Sequence, residues 1–210
     1  MKKLVIGFSL IGAALVVGLA VWWWTDVRWR PRTLTRHQAE IARTLDEAGW
    51  VSPGLTGPKV YVVTFRTCPN CIRAKAQLLP ALQDAGVDTR VIVFARRDRN
   101  GLAQSTPAER ATVAELWINR RWALMEQWDA APLEGWTAPG LPPADGDAAR
   151  TAVVGASQTM VDRLEPLLKA NGVAFATPLL VWWTRDGDMK ACACGDPLSW
   201  RFVKRDLTGP

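Results

Sequence analysis

From Leu4 to Trp24 the chain reads LVIGFSLIGAALVVGLAVWWW, an apolar run with no ionisable group. About 20 apolar residues in a helix span a hydrocarbon core of roughly 30 Å, and indole rings favour the membrane interface. The run, closed by Trp22, Trp23 and Trp24, therefore predicts an N-terminal transmembrane helix, with residues 1–25 as a membrane anchor. A cleaved secretory signal is the competing reading, for which Gly18-Leu19-Ala20 offers a weak small-x-small site. The length of the run and the Trp cluster beyond that site favour an uncleaved anchor.

Beyond the anchor the pattern alternates between helical and strand periods. Residues 26–58 read as a juxtamembrane linker with one short amphipathic helix, His37 to Trp50, carrying Ile41, Leu45 and Ala48 at helical spacing. The β-branched run KVYVVTF, Lys59 to Phe65, suits a buried strand, as does TRVIVFA, Thr89 to Ala95. Between them residues 69–85 place Ile72, Ala76, Leu79 and Leu82 on one helical face. Strand, helix, strand with short connections predicts a βαβ unit with a parallel pair.

Thr106-Pro107-Ala108-Glu109 forms a capping box, opening a helix expected to reach about Trp128. Four Pro and three Gly then interrupt residues 129–147, and loops of that length in a compact domain are commonly functional. Val161, Leu164, Leu167 and Leu168 mark another helix, stopped at Asn171-Gly172. Thr177 to Trp183 is a third strand, joined through Asp186-Gly187 to Met189–Cys194 as a hairpin. A final helix covers about Leu198 to Leu207. No internal repeat or low-complexity tract interrupts this order.

Charge changes the picture only once it is located. The chain has 210 residues, 26 Lys and Arg against 20 Asp and Glu, and a net charge of +6, which would ordinarily raise nucleic acid as a partner. Lys2, Lys3, Arg28, Arg30, Arg32 and Arg36 flank the apolar run, and residues 37–210 hold 20 basic against 19 acidic groups. The folded part is nearly neutral, and no nucleic-acid binding is expected. By charge count alone, the four Arg after the run would hold the domain in the cytoplasm. A short basic tail before a hydrophobic run also resembles an export leader, and the cysteines arbitrate between the two.

Cys68-Pro69-Asn70-Cys71 falls where the first strand gives way to a helix. There Cys68 lies near unpaired backbone N–H groups and the positive end of the helix dipole, which favours thiolate. Pro69 suits the first helical turn, and Cys71 follows one turn later on the same face. The physics assigns Cys68 as nucleophile and Cys71 as resolving thiol, with Arg66 and Arg73 as further sources of positive potential. Half of a zinc site and an inert structural disulfide are the alternatives. Cys192 and Cys194, two apart on a strand, face the same side. They read as a possible second redox pair exchanging with Cys68 and Cys71, as a local disulfide, or as buried thiols. All four cysteines could also chelate a metal, but the CPNC context favours redox chemistry. No metal and no cofactor is expected, and the sole histidine, His37, lies in the linker helix.

With these motifs the chain resembles the thioredoxin superfamily, and within it the Dsb-type periplasmic disulfide oxidoreductases and isomerases. The resemblance rests on KVYVVTF, on Cys68-Pro69-Asn70-Cys71, on Pro80 in the following helix and on Gly172 to Pro178 leading into LLVWW. It implies an α/β thioredoxin-like fold over residues 59–210, with a helical insertion at about 105–171. It also implies a cis Thr177-Pro178 bond facing the cysteines, where backbone groups bind a client chain in β fashion. Pro69, Asn70, Thr177 and Pro178 are then active-site supports.

The expected activity is that of a membrane-anchored thiol:disulfide oxidoreductase. Its partners would be cysteine-containing clients and a redox partner that recycles the pair, with the anchor in the inner membrane and the domain in the periplasm. Residues 25–58 are too short for the dimerisation domain of the dimeric isomerases. The Pro69-Asn70 dipeptide leaves oxidase and reductase directions both open. The rival reading is a non-enzymatic assembly factor that keeps the fold and binds envelope partners through its Pro/Gly loop.

Overall fold

The computed structural model describes residues 15–209. Residues 4–14 of the predicted membrane segment lie outside them. Residues 15–22 are helical and run into a π-helical turn, Trp23–Val27. Leu15, Val16, Val17, Leu19, Val21 and the three Trp of this stretch are exposed. No helix among the described residues is long and apolar enough to cross a membrane.

A six-stranded mixed sheet organises the rest, in the order β1-β6-β5-β3-β4-β2. Its strands are β1 (Arg32–Thr33), β2 (Trp50–Val51), β3 (Lys59–Thr64), β4 (Asp88–Val93), β5 (Leu179–Trp183) and β6 (Met189–Ala193). Only β3 and β4 run parallel, as the βαβ reading requires; the other neighbours are antiparallel. The helices are α1 (Gln38–Glu47), α2 (Pro69–Asp84), α3 (Pro107–Asn119), α4 (Trp122–Ala130), α5 (Ala148–Lys169) and α6 (Pro197–Thr208).

Alternation along the strands divides the core into two apolar layers. Val60 and Val62 of β3 and Cys192 of β6 share one layer with Ala74, Leu78 and Leu82 of α2 and Val203 of α6. Tyr61 and Val63 share the other with Ile41 and Leu45 of α1 and Leu164 and Leu168 of α5. Both faces of β3 are therefore covered, which explains its unbroken apolar sequence.

The stretch read as a juxtamembrane linker builds part of this sheet. β1 pairs with β6, placing Arg32 opposite Ala191, and β2 pairs with β4, placing Trp50 opposite Ile92. The Asn171 side chain at the end of α5 accepts from the N–H groups of Thr35 and Arg36 at 2.8 and 2.9 Å. Two-residue strands carry too little pattern to register in sequence.

The single helix expected from Thr106 to Trp128 is two helices. Its capping box forms as anticipated, but Arg120 adopts a left-handed conformation (φ 50°) and ends α3. The Arg120 guanidinium donates to the Ala48 carbonyl at 3.0 Å and lies over the Trp50 ring. The break thus follows from tertiary contacts that no helical period records.

Buried Glu115 on α3 knits this insertion together. It accepts from Arg150 of α5 at 2.8 Å, from Asn119 at 2.6 Å and from Arg121 at 3.3 Å. Burial alone would raise its pKa, but these donors and their charges outweigh it and hold the carboxyl below its ordinary value of 4.5. A depressed folded-state pKa gives stability that is present above the unfolded value and lost as pH falls through the folded one. Glu115→Gln should therefore cost about 2 kcal/mol at neutral pH. Urea denaturation of both proteins should show the gap closing as the pH drops below 4.5.

Candidate functional site

The site begins where β3 stops. After Thr64, Phe65-Arg66-Thr67 turn the chain and Cys68 becomes the N-cap of α2, with extended backbone at φ −76° and ψ 111°. Pro69 starts the helix without needing an acceptor for an N–H it lacks. The Cys71 N–H donates to Cys68 Sγ at 3.1 Å, so one orphan donor of the first turn is spent on sulfur. Cys68 and Cys71 are joined in a disulfide, with Cα atoms 5.1 Å apart. Cys71 is fully buried and Cys68 is 3% exposed, while Thr67, Pro69 and Asn70 around them are exposed.

Across from Cys68 lies the entry to β5. The Thr177-Pro178 peptide bond is cis. Thr177 Oγ1 donates to Cys68 Sγ at 3.4 Å, and the Thr177 carbonyl oxygen is 3.6 Å from the same sulfur. Cys68, Pro69, Asn70, Cys71, Thr177 and Pro178 thus meet in one place, although Cys68 and Thr177 are 109 residues apart.

Cys192 and Cys194 form a second disulfide at the end of β6. The β5–β6 register sets Leu179 opposite Ala193, and the Cys194 N–H donates to the Pro178 carbonyl at 2.9 Å. All four cysteine sulfurs are consumed in these two bridges.

Arg66 is turned away from the role expected of it. Its guanidinium donates to the Ala131 carbonyl at 2.6 Å, approaches Asp129 at 3.5 Å and lies over the Trp128 ring. Burial lowers its pKa, against the raising effect of Asp129. Lys75, one turn beyond Cys71, pairs with the same Asp129. Burial likewise draws the Lys75 ammonium below the ordinary lysine range, opposed by Asp129. This Arg66-Asp129-Lys75 cluster ties α2 and the turn before it to the end of α4. Sequence reasoning named Arg66 for a different role and missed Lys75, whose one signal is its place four residues after Cys71 on the same helical face; Asp129 carries none. Beyond Arg66 an open cleft of about 450 Å³ is walled by Trp128, Trp136 and Leu133, so the Pro/Gly loop lines it.

A helix N-terminus supporting one disulfide, a cis proline across from it and a central parallel pair flanked by antiparallel strands decide the architecture. The fold is thioredoxin-like. The crystal structure of Proteus mirabilis ScsC in a compact conformation aligns over 97% of this chain and 95% of that one, with a TM-score of 0.51 at 11% identity. The catalytic domain of the same protein aligns over 80% of this chain and 96% of that domain, with a TM-score of 0.48 at 15% identity. No protein-family model matches the sequence, and no curated protein matches it.

The Thr177 hydroxyl is placed to support a thiolate on Cys68. A hydrogen bond to a charged group contributes about 1.5 kcal/mol, close to one pKa unit. In a Cys71→Ala background, Thr177→Val should therefore raise the apparent pKa of Cys68 by about one unit. The pH dependence of its alkylation rate reads this directly, and an unchanged profile would remove Thr177 from that role.

Proposed function

We propose that this chain is a thiol:disulfide oxidoreductase whose redox pair is Cys68 and Cys71. The observation that carries the reading is their disulfide at the N-terminus of α2, with Thr177 donating to Cys68 Sγ from the cis-proline loop. A helix N-terminus stabilises the thiolate that the chemistry needs.

On this reading exchange runs in two steps. In the oxidising direction a client thiolate attacks Cys68 Sγ, the client–Cys68 bond forms and Cys71 leaves as thiolate. A second client thiol attacks the client sulfur of that bond, closing the client disulfide and releasing Cys68. In the reducing direction the Cys68 thiolate attacks a client disulfide, and Cys71 displaces the client. The backbone of Thr177 and Pro178 lies beside Cys68 and is suited to hold an extended client segment in β fashion. A separate redox partner restores the pair after each turnover.

We place the protein at the inner membrane with its folded domain in the periplasm. The apolar run from Leu4 to Trp24 supports the anchor, together with the exposed apolar side chains of residues 15–24. The paired cysteines support an oxidising compartment.

Cys68→Ala should abolish both insulin reduction and oxidation of a two-cysteine peptide, and retained turnover would refute the assignment. Cys71→Ala should instead accumulate client proteins in covalent adducts that dissolve on reduction. For location, the chain should sediment with membranes, and alkaline phosphatase fused after Pro210 should be active. An inactive phosphatase fusion would put the domain in the cytoplasm.

A further inference from the structure

The second disulfide sits within the machinery of the first. β6 brings Cys194 opposite Pro178, to whose carbonyl its N–H donates, and the neighbouring Thr177 touches Cys68 Sγ. Gly195, the next residue, lies directly under Asn70, the residue between Pro69 and Cys71. A Cβ on Gly195 would come within 2.8 Å of Asn70 Nδ2 and 3.3 Å of its Cγ. On α2, Cys71, Ala74 and Leu78 share one buried stripe, and Ala74 and Leu78 pack in the same apolar layer as Cys192 and Cys194. The cis-proline loop therefore bounds Cys194, and the CPNC turn bounds Gly195 beside it.

Both pairs are buried to a similar degree. Cys194 is fully buried and Cys192 is 9% exposed, and Trp200 Nε1 closes over the Cys194 carbonyl at 2.9 Å. Burial alone does not keep a protein client from these sulfurs, since Cys68 itself is only 3% exposed. Nor does the bridge act as an effective staple. It links residues only two apart in sequence, and short loops restrict the unfolded chain least. Cys192 is already held in the β5–β6 ladder opposite Leu180.

We propose that Cys192–Cys194 is an internal redox reservoir that exchanges with Cys68–Cys71, a reading that rests on the oxidoreductase assignment. With the CPNC pair reduced, the Cys71 thiolate attacks Cys194 Sγ. The Cys71–Cys194 bond forms as the Cys192–Cys194 bond breaks, and Cys192 leaves as thiolate and takes up a proton. The Cys68 thiolate then attacks Cys71 Sγ, remaking Cys68–Cys71 and releasing Cys194 as a thiol. Two electrons move inward and no outside oxidant is consumed; the reverse sequence moves them outward. The chain thereby holds two client equivalents, both passing through Cys68.

Counting equivalents tests this on the full chain. Fully oxidised protein is given excess two-cysteine peptide, and fully reduced protein is given excess disulfide-bonded peptide, with no other redox agent present. In the direction that exchanges, wild type should convert two peptides per chain, the Cys192→Ala/Cys194→Ala variant one and the Cys68→Ala/Cys71→Ala variant none. One peptide per chain from wild type overturns the reservoir and leaves the oxidoreductase standing. One from the Cys68→Ala/Cys71→Ala variant also overturns it, because the second pair would then serve clients directly. None from wild type in either direction removes the oxidoreductase reading itself. Independently, Cys68→Ser/Cys192→Ser, oxidised with diamide while folded, should yield a Cys71–Cys194 linked peptide on mapping. Recovery of both cysteines as separately alkylated thiols counts against the exchange.

Discussion

The whole site depends on β3 being covered on both faces. Val60 and Val62 look toward α2, Tyr61 and Val63 toward α1 and α5, so the strand is held in a single register by two independent layers. Because β3 cannot slip, its last residue sets where the chain turns, and the turn sets where Cys68 begins α2. The same strand pairs with β5, Val63 opposite Leu179, which places Pro178 and Thr177 level with that turn. One buried strand thus aligns the two halves of a site whose residues lie more than a hundred positions apart.

Much of this was legible in the residues themselves. KVYVVTF and TRVIVFA declared buried strands because β-branched residues recur without polar interruption, and the CPNC turn declared a helix start through Pro69 and Cys68. Thr106 and Glu109 announced α3 by local chemistry, and the structure keeps that capping box. What stayed hidden depends on partners far away in sequence. Arg120 ends α3 because its guanidinium reaches Ala48 and Trp50. β1 and β2 are strands only because β6 and β4 offer them edges.

The insertion is more than an ornament on the sheet. Asp129, at the end of α4, meets both Arg66 before the Cys68–Cys71 disulfide and Lys75 after it. A movement of the Pro/Gly loop would pass through Ala131 and Pro132 to the Arg66 side chain that donates to both carbonyls. The loop is therefore mechanically connected to the segment carrying Cys68, although it contributes no atom to the sulfur chemistry.

Only four residues, 28–31, separate the π-helical turn ending at Val27 from the edge strand β1. Fully extended they reach about 14 Å, so the sheet is on a short leash. Under the proposed anchoring at a bilayer, such a leash would confine Cys68 to a thin shell above the surface. Partners tethered within that shell would meet it at the raised effective concentration of a linked system, whereas those diffusing freely would gain nothing. On that proposal reach would become a filter on clients, set by the position of β1 in the fold and applied before any side chain touches them.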